Sequence, residues 1–206
     1  MEERTGHGVK GAVKTADAAE RARKAGEESP PRNLPNKVKN LIPPNAMWDY
    51  LAGGEAPETG MWTMLEFDAR EEEWKSGQAG FGFGDDDDRT EIAGMKNKYT
   101  AIYIRREFEI PRGADLKRLG LAIRYDDGFV LHANGSILFS KQVATDKNGT
   151  MKVTAHEAEK TEYFPLSSFA SAFRIGRNVI AFEGHNCKKD STDFTLDPYL
   201  VLEARE

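Results

Sequence analysis

The chain has 206 residues, which suffices for one well-buried domain with an extension, and its net charge of -5 argues against a nucleic-acid-binding surface. The single cysteine, Cys187, excludes an internal disulfide and a cysteine-rich zinc site. No apolar run reaches the roughly 18 residues of a membrane-spanning helix, so membrane insertion is not expected.

Residues 1–46 differ from the rest of the chain in composition. The stretch 9–27 is rich in Ala, Lys, Arg and Glu, which predicts a helix with little apolar surface to bury. It shows no apolar segment typical of a signal peptide. The prolines of "SPPRNLPNKVKNLIPPN" then predict an extended linker. We interpret these residues either as a disordered basic tail or as an arm that docks on a protein partner.

Residues 47–206 have the pattern of β-structure. "YTAIYIRREFEI" alternates apolar and polar residues as a long strand does, and "RLGLAIRYDD" and "GFVLHANGSILF" predict two more strands. Asn134-Gly135 is a strong hairpin signal, which predicts that residues 128–133 pair with residues 136–139. "NVIAFEGHN" and "PYLVLEARE" predict the last strands, and "LSSFASAF" predicts a short helix around Leu166–Phe173.

Short strands joined by Gly, Asn and Asp turns, with no helices between them, predict an all-β fold, an antiparallel β-sandwich. The alternating positions supply a predicted core: Ile102, Ile104, Phe108, Leu121, Ile123, Val130, Ile137, Val179, Ile180, Phe182, Leu200 and Leu202.

A series of motifs in order carries a resemblance to a known family. These are "MWDYLAGGEAPETGMW", "FDAREEEWKSGQAGFGFGDDDDRTEI", "YIRREFEI", "IRYDDGFVLHANGSILF", "HEAEKTEYFPL" and "GRNVIAFEGHNCKKDSTDFTLDPYLVLE". Together they resemble the galactose-binding-like jelly-roll modules attached to bacterial secreted multidomain proteins. The Asp126-Asp127-Gly128 turn also resembles that of PA14-type modules, some of which bind glycans with calcium.

The resemblance implies a jelly-roll β-sandwich with an accessory, non-catalytic role, and it suggests an extracellular location. It also implies sugar binding or a structural calcium ion. No catalytic motif is present, since "HEAEK" lacks the second histidine of a metalloprotease helix and no G-x-S-x-G or phosphate-binding loop occurs. We therefore do not expect an enzyme.

The acidic turn is the candidate metal site. Asp126 and Asp127 supply adjacent carboxylates, and calcium takes six to eight oxygen ligands. The loop "GHNCKKDSTDF" offers Asn186 and Asp193 as further oxygens, so these four residues are the predicted calcium ligands. The alternative is a turn whose aspartates accept backbone N–H groups while Gly128 adopts an unusual dihedral angle.

Aromatic side chains give a second set of candidate ligand-binding residues. Trp62 and Trp74 could stack on a sugar ring, and His185 lies in the loop that faces the acidic turn. Packing is the commoner role of such tryptophans, and their spacing favours it. The run Asp85–Asp88 lacks the alternation of a calcium-binding helix-loop-helix, which indicates a solvated loop.

Two functions remain open from the sequence. One is a binding module that recognises a glycan or a protein through loops at one end of the sandwich. The other is a structural subunit of a larger assembly, such as a virion, a filament or a multisubunit complex, tethered by residues 1–46.

Overall fold

The computed structural model describes residues 30–53, 57, 60–71 and 73–204, and these form the predicted antiparallel β-sandwich. The strands are β1 (Val38–Ile42), β2 (Met47–Ala52), β3 (Lys75–Gln78), β4 (Phe81–Phe83), β5 (Thr90–Glu91), β6 (Ala101–Ile110), β7 (Leu119–Asp126), β8 (Gly128–Ala133), β9 (Ser136–Lys141), β10 (Val143–Thr145), β11 (Met151–Val153), β12 (Glu162–Pro165), β13 (Gly176–His185) and β14 (Phe194–Glu203). Short 3-10 helices lie at Gly60–Thr63, Ala69–Glu71, Leu116–Arg118 and Ser167–Ala172.

Two sheets face each other across the core of the described residues. The first sheet has the order β12-β7-β14-β4-β5, with β1 also paired to β14, and the second has the order β3-β2-β6-β13-β8-β9. All pairs are antiparallel except β4 with β5. None of the helices in the described ranges has the length and apolar character needed to span a bilayer.

Chain crossings between the sheets define one end of the sandwich. The chain passes from β7 to β8 through Asp127 alone, and from β13 to β14 through residues 186–193. Phe83, the last residue of β4, pairs with Phe194, so the loop at residues 84–89 reaches the same end. Loop residues 154–161 precede β12, whose first residue pairs with Ile123 of β7. We call these four connections the acidic end.

The core lies between the sheets and is rich in aromatic rings. Phe182 is fully buried, and its ring lies 5.8 Å from that of Trp48 and 6.0 Å from that of Phe129. Gly184 faces the same core, where an added Cβ would lie 2.8 Å from Leu196 and 2.9 Å from the Phe194 ring, so a larger residue would displace those side chains. Strand alternation thus places one face of each strand in a common apolar layer.

Most of the predicted core is confirmed, with two exceptions. Ile137 is 37% exposed because it follows the turn on β9, the edge strand of the second sheet, and is only partly covered there. Leu202 is half-buried, near the end of the last strand. The other ten residues are buried, including the neighbours Val179 and Ile180, which point to opposite faces of β13, so both faces of that strand are covered.

The hairpin prediction is confirmed in position and register. Ala133 pairs with Ser136, and Asn134 and Gly135 both adopt positive φ angles, 47° and 85°. That combination is the type I′ geometry which Asn-Gly favours because its twist matches the flanking strands. The predicted short helix is the 3-10 helix Ser167–Ala172.

The segment "VKNLI", which the sequence placed in the N-terminal arm, is strand β1. It pairs with β14 from Val38 opposite Glu203 to Ile42 opposite Leu200, and Ala204 donates its N–H to the Lys37 carbonyl. The sandwich therefore includes residues before the predicted domain start at residue 47. The predicted helix at 9–27 lies outside the described residues, and the proposed partner of residues 1–46 stays a prediction.

The first prediction concerns the centre of the core. Phe182→Ala should lower the free energy of unfolding by about 3–5 kcal/mol, because the fully buried ring leaves a cavity between two sheets that cannot collapse freely. Ile137→Ala removes a comparable apolar side chain from the surface and should cost less than about 1 kcal/mol. Urea unfolding of both variants measures this difference, and equal midpoints would contradict the assigned core.

Candidate functional site

Asp127 forms the whole connection between β7 and β8, and its hydrogen bonds tie three segments together. Its Oδ1 accepts the backbone N–H of His156 at 3.0 Å, and its Oδ2 accepts that of Cys187 at 2.6 Å. Its own N–H donates to the His185 carbonyl. The carboxylate therefore faces the loop at 186–193, as the sequence predicted. The peptide bond between Asp126 and Asp127 is cis.

Gly128 is needed at this turn for space. Its φ is not in the left-handed region, in contrast to the dihedral angle expected from the sequence. An added Cβ would lie 2.9 Å from Val143 and 3.0 Å from the Lys141 carbonyl oxygen. Glycine is therefore required because the chain passes directly beneath the ends of β9 and β10.

Asp126 lies next to two other carboxylates at the acidic end. Oxygens of Asp126, Glu157 and Asp193 lie within 4.8 Å of one another. Calcium–oxygen distances of about 2.3–2.6 Å place two ligands of one ion at most about 5 Å apart, so the spacing fits a single cation. The structure thus brings together two of the four predicted residues, Asp126 and Asp193, with a third carboxylate, Glu157.

The Asp126 carboxyl lies where a negative charge is unfavourable. The residue is only 5% exposed, and no hydrogen bond reaches its side chain from any part of the chain that the structure describes. Burial, followed by the charges of Asp127 and Asp193, raises the pKa of this carboxyl to about 7. Ionising a carboxyl in this position is costly, so a proton or a cation at the group would stabilise the folded state.

The other two predicted ligands serve mainly as loop supports. Asn186 is 3% exposed; its Nδ2 donates to the Asp193 carbonyl at 2.8 Å and its Oδ1 accepts the Lys188 N–H at 3.2 Å. Both Asp127 oxygens are occupied by N–H donors, as described above. These contacts match the turn interpretation of the sequence, while the oxygens keep further lone pairs that can bind a cation.

His156 secures the loop that carries Glu157. Its ring stacks on Tyr125 with centroids 4.1 Å apart, while Nδ1 lies 3.0 Å from the Tyr125 carbonyl oxygen. Nε2 lies 3.1 Å from Oε1 of Glu162, whose other oxygen accepts the Tyr125 hydroxyl. Glu157 therefore projects from a fixed turn. Its partners are 31 and 36 residues away in the chain, so no local spacing reveals the group.

The loop after β4 adds more negative charge to the acidic end. Burial, and then the charges of Asp87 and Asp85, raise the pKa of Asp88 to about 7. Gly82 lies beneath this loop, where an added Cβ would come within 2.3 Å of an Asp88 oxygen. The run of aspartates is therefore drawn against the sandwich at Asp88, although Asp85, Asp86 and Asp87 are exposed as the sequence indicated.

Trp62 and Trp74 lie elsewhere, on the outer face of the second sheet. Trp62 is 4% exposed, and its ring contacts Trp74, Tyr103 and His132 at centroid distances of 5.4–5.7 Å. The guanidinium of buried Arg105 holds the segment by donating to the Trp62 and Met64 carbonyls. This geometry favours packing, the commoner of the two roles weighed above.

His185 belongs to a buried polar network on the same face. Its Nε2 lies 3.2 Å from one oxygen of Glu183, and Nε2 of His132 lies 2.8 Å from the other. Burial alone would raise the pKa of Glu183, but the hydrogen bonds from the two imidazoles hold it at about 2. His185 is 5% exposed, so its ring supports the sheet beside the acidic end.

Comparisons with known proteins support the fold. No protein-family model matches this chain, and a search of curated proteins finds no match. Among solved structures, a β-glucuronidase from Ruminococcus gnavus in complex with N1-substituted uronic isofagomine is 11% identical with a TM-score of 0.50, covering 83% of this chain and 30% of that one. A Bifidobacterium dentium β-glucuronidase complexed with coumarin-3-O-glucuronide is 16% identical with a TM-score of 0.49, covering 74% and 21%.

The likeness to the Ruminococcus gnavus enzyme, at 11% identity, shows a shared fold and nothing finer. The chain spans less than a third of the length of either enzyme, so it is similar to one part of them. The expected resemblance is thereby confirmed at the level of a β-sandwich that also occurs in glycosidase chains. The galactose-binding-like family itself stays a prediction.

A second prediction tests the role of Asp127. Asp127→Ala should lower the free energy of unfolding by about 2–3 kcal/mol, because two backbone N–H groups from different loops lose a charged acceptor. Asp190→Ala is the matched control, since Asp190 is an exposed carboxylate in the same loop as Cys187. Urea unfolding with EDTA separates the two, and equal losses would show that Asp127 does not hold the loops.

A third prediction follows from the raised pKa of Asp126. This carboxyl has a pKa near 3.8 when unfolded and about 7 when folded, so the folded state binds more protons between those values. The free energy of unfolding of the metal-free protein should therefore fall as pH rises from about 4 to about 7. Asp126→Asn should reduce this slope, and the remainder is expected from Asp88.

Denaturant unfolding in EDTA at a series of pH values measures this slope. Glu109→Gln is the control. Glu109 is exposed on β6, opposite Arg177 of β13, at the end of the strand pair that is far from the acidic end. A slope that is the same in wild type and Asp126→Asn would show that Asp126 does not titrate in this range.

Proposed function

We propose that the chain is a non-catalytic module that binds glycans through a calcium ion at the acidic end. One observation carries the proposal: the buried Asp126 carboxyl, without a hydrogen-bond partner in the described residues, beside the carboxylates of Glu157 and Asp193. Three carboxylates held this close together oppose folding by mutual repulsion. A hard divalent cation compensates that repulsion with the oxygen ligands it prefers.

Three carboxylates leave part of the coordination shell of calcium open. Calcium takes six to eight oxygens, and each carboxylate supplies one or two. Glu157 is exposed and Asp193 is half-buried, so the site faces solvent on the side away from Asp126. A pair of neighbouring sugar hydroxyls can occupy the remaining positions in place of water. Binding a glycan through the ion requires no deep pocket, which suits an end built from loops.

The turn resemblance and the fold both support this function. The sequence around Asp126-Asp127-Gly128 resembles PA14-type modules, which implies calcium and glycan binding at this turn. The likeness to part of a β-glucuronidase is compatible with an accessory domain for carbohydrate. The second function, a structural subunit held by residues 1–46, gains no specific support, because strand β1 of that segment pairs within its own chain.

A fourth prediction tests the ion. Calcium should bind the full chain with about one-to-one stoichiometry in isothermal titration calorimetry. At a hundredfold excess over the dissociation constant it should stabilise the fold by about 2.7 kcal/mol. Asp126→Asn combined with Asp193→Asn should abolish both effects, since two of the three ligands lose their charge. Asp190→Asn, an exposed change in the same loop, should leave them intact.

The glycan itself is tested with the full chain on an array of immobilised oligosaccharides, with calcium and then with EGTA. Binding that EGTA removes, and that the double variant lacks, supports the proposal. No calcium binding, or glycan binding that persists in EGTA, would overturn it.

A further inference from the structure

The charges that act on the Asp126 carboxyl share one sign. The groups that act on the Asp126 carboxyl are Asp127, Asp193, Glu157 and Asp85, and each raises its pKa. Asp85 also interacts with Asp193: burial raises the pKa of Asp85 first, and the negative charge of Asp193 raises it further. Oxygens of Asp126, Glu157 and Asp193 lie within 4.8 Å of one another, Asp127 adjoins Asp126, and the charge of Asp85 acts on the same group, so five carboxylates contribute negative charge at the acidic end.

The nearby basic side chains do little to offset this charge. Arg124 is already paired, with its Nη1 2.7 Å from Oδ2 of Asp87. Lys188 and Lys189 lie in the loop at 186–193, where Asp190 and Asp193 match them in number. Arg89 and Lys160 add two positive charges in the neighbouring loops, fewer than the carboxylates of Asp85–Asp88, Asp126, Asp127, Glu157 and Glu159. The balance at the acidic end is strongly negative.

We infer that the acidic end selects neutral glycans and rejects uronate-containing, sialylated or sulfated ones. This inference rests on the proposed function. One calcium ion carries two positive charges, so the five carboxylates retain a net negative charge after the ion binds. A neutral sugar that offers a hydroxyl pair meets no electrostatic penalty, whereas a sugar carboxylate or sulfate approaches uncompensated negative charge.

The size of the effect follows from Coulomb interactions at the surface. A charge about 8 Å from the remaining carboxylates, in a largely aqueous environment, should weaken binding about tenfold in about 20 mM salt. The penalty should shrink to about twofold or less in about 0.5 M salt, because the screening length becomes shorter than the separation. Dependence on salt therefore separates charge repulsion from a poor steric fit.

Matched pairs of monosaccharides provide the direct test. Methyl galactoside and methyl galacturonoside differ only at C6, as do methyl glucoside and methyl glucuronoside, so each pair offers the same ring hydroxyls with and without a carboxylate. Calcium-loaded full chain is titrated with each sugar by ligand-observed NMR at both salt concentrations. The neutral member should bind about tenfold more tightly at low salt.

A variant with one fewer carboxylate tests whether negative charge causes the preference for neutral sugars. Asp85→Asn removes one exposed negative charge without touching the three proposed ion ligands, so it should bind calcium and narrow the gap between neutral and acidic sugars about twofold. Glu109→Gln removes one exposed charge on β6, away from the acidic end, and should leave the gap unchanged.

The outcomes separate this inference from the function on which it rests. Calcium-dependent binding of both sugars of a pair with equal affinity, or tighter binding of the uronate through direct contact with the ion, would overturn the selectivity and leave the function standing. Loss of all calcium-dependent sugar binding would overturn the function. A preference for neutral sugars that high salt and Asp85→Asn both reduce supports the inference.

Discussion

The carboxylate of Asp127 is the interaction on which the acidic end depends. It accepts N–H groups from two loops that are about 30 residues apart in the chain, and it is the single residue that connects β7 to β8. Its hydrogen bonds place the loop of Glu157 and the loop of Asp193 on either side of β7. These loops bring the carboxylates of Glu157 and Asp193 next to Asp126. The hydrogen bonds of Asp127 therefore fix the positions of both loops and also cause the repulsion among the carboxylates.

Local patterns in the sequence identified the strands, because burial on one face imposes a period of two and tight turns demand particular residues. The Asn134-Gly135 hairpin is the clearest case, since only residues that tolerate positive φ satisfy its geometry. The sequence patterns did not predict strand β1. Flanking prolines indicated a linker, yet a strand at the edge of a sheet tolerates them at its ends because no partner needs their missing N–H groups.

The candidate site was only partly accessible from the sequence. Adjacent aspartates before a glycine drew attention to the turn, and Asp193 followed from a loop of oxygen-bearing residues. Glu157 could not be found in this way, because it reaches the group through the placement of β12 against β7. The contacts of His156 illustrate the reason. Its ring holds the loop of Glu157 by stacking on Tyr125 and by contacting Glu162, and no sequence motif contains these three residues. Residues that only tertiary packing brings together have no characteristic separation in the sequence, so a motif search does not find them.

Strand β1 pairs with the end of β14, and this has a consequence for how the domain can be connected. Backbone at Lys37 and Ala204 is joined by a hydrogen bond, so β1 begins beside the end of β14, and the residues just before β1 continue along the sheet to a bridge between Arg32 and Tyr163. A unit with neighbouring entry and exit points can be spliced into a surface loop of a host protein without separating the host's two flanking strands. The same geometry would permit circular permutation, with new termini opened at the exposed tip between β10 and β11.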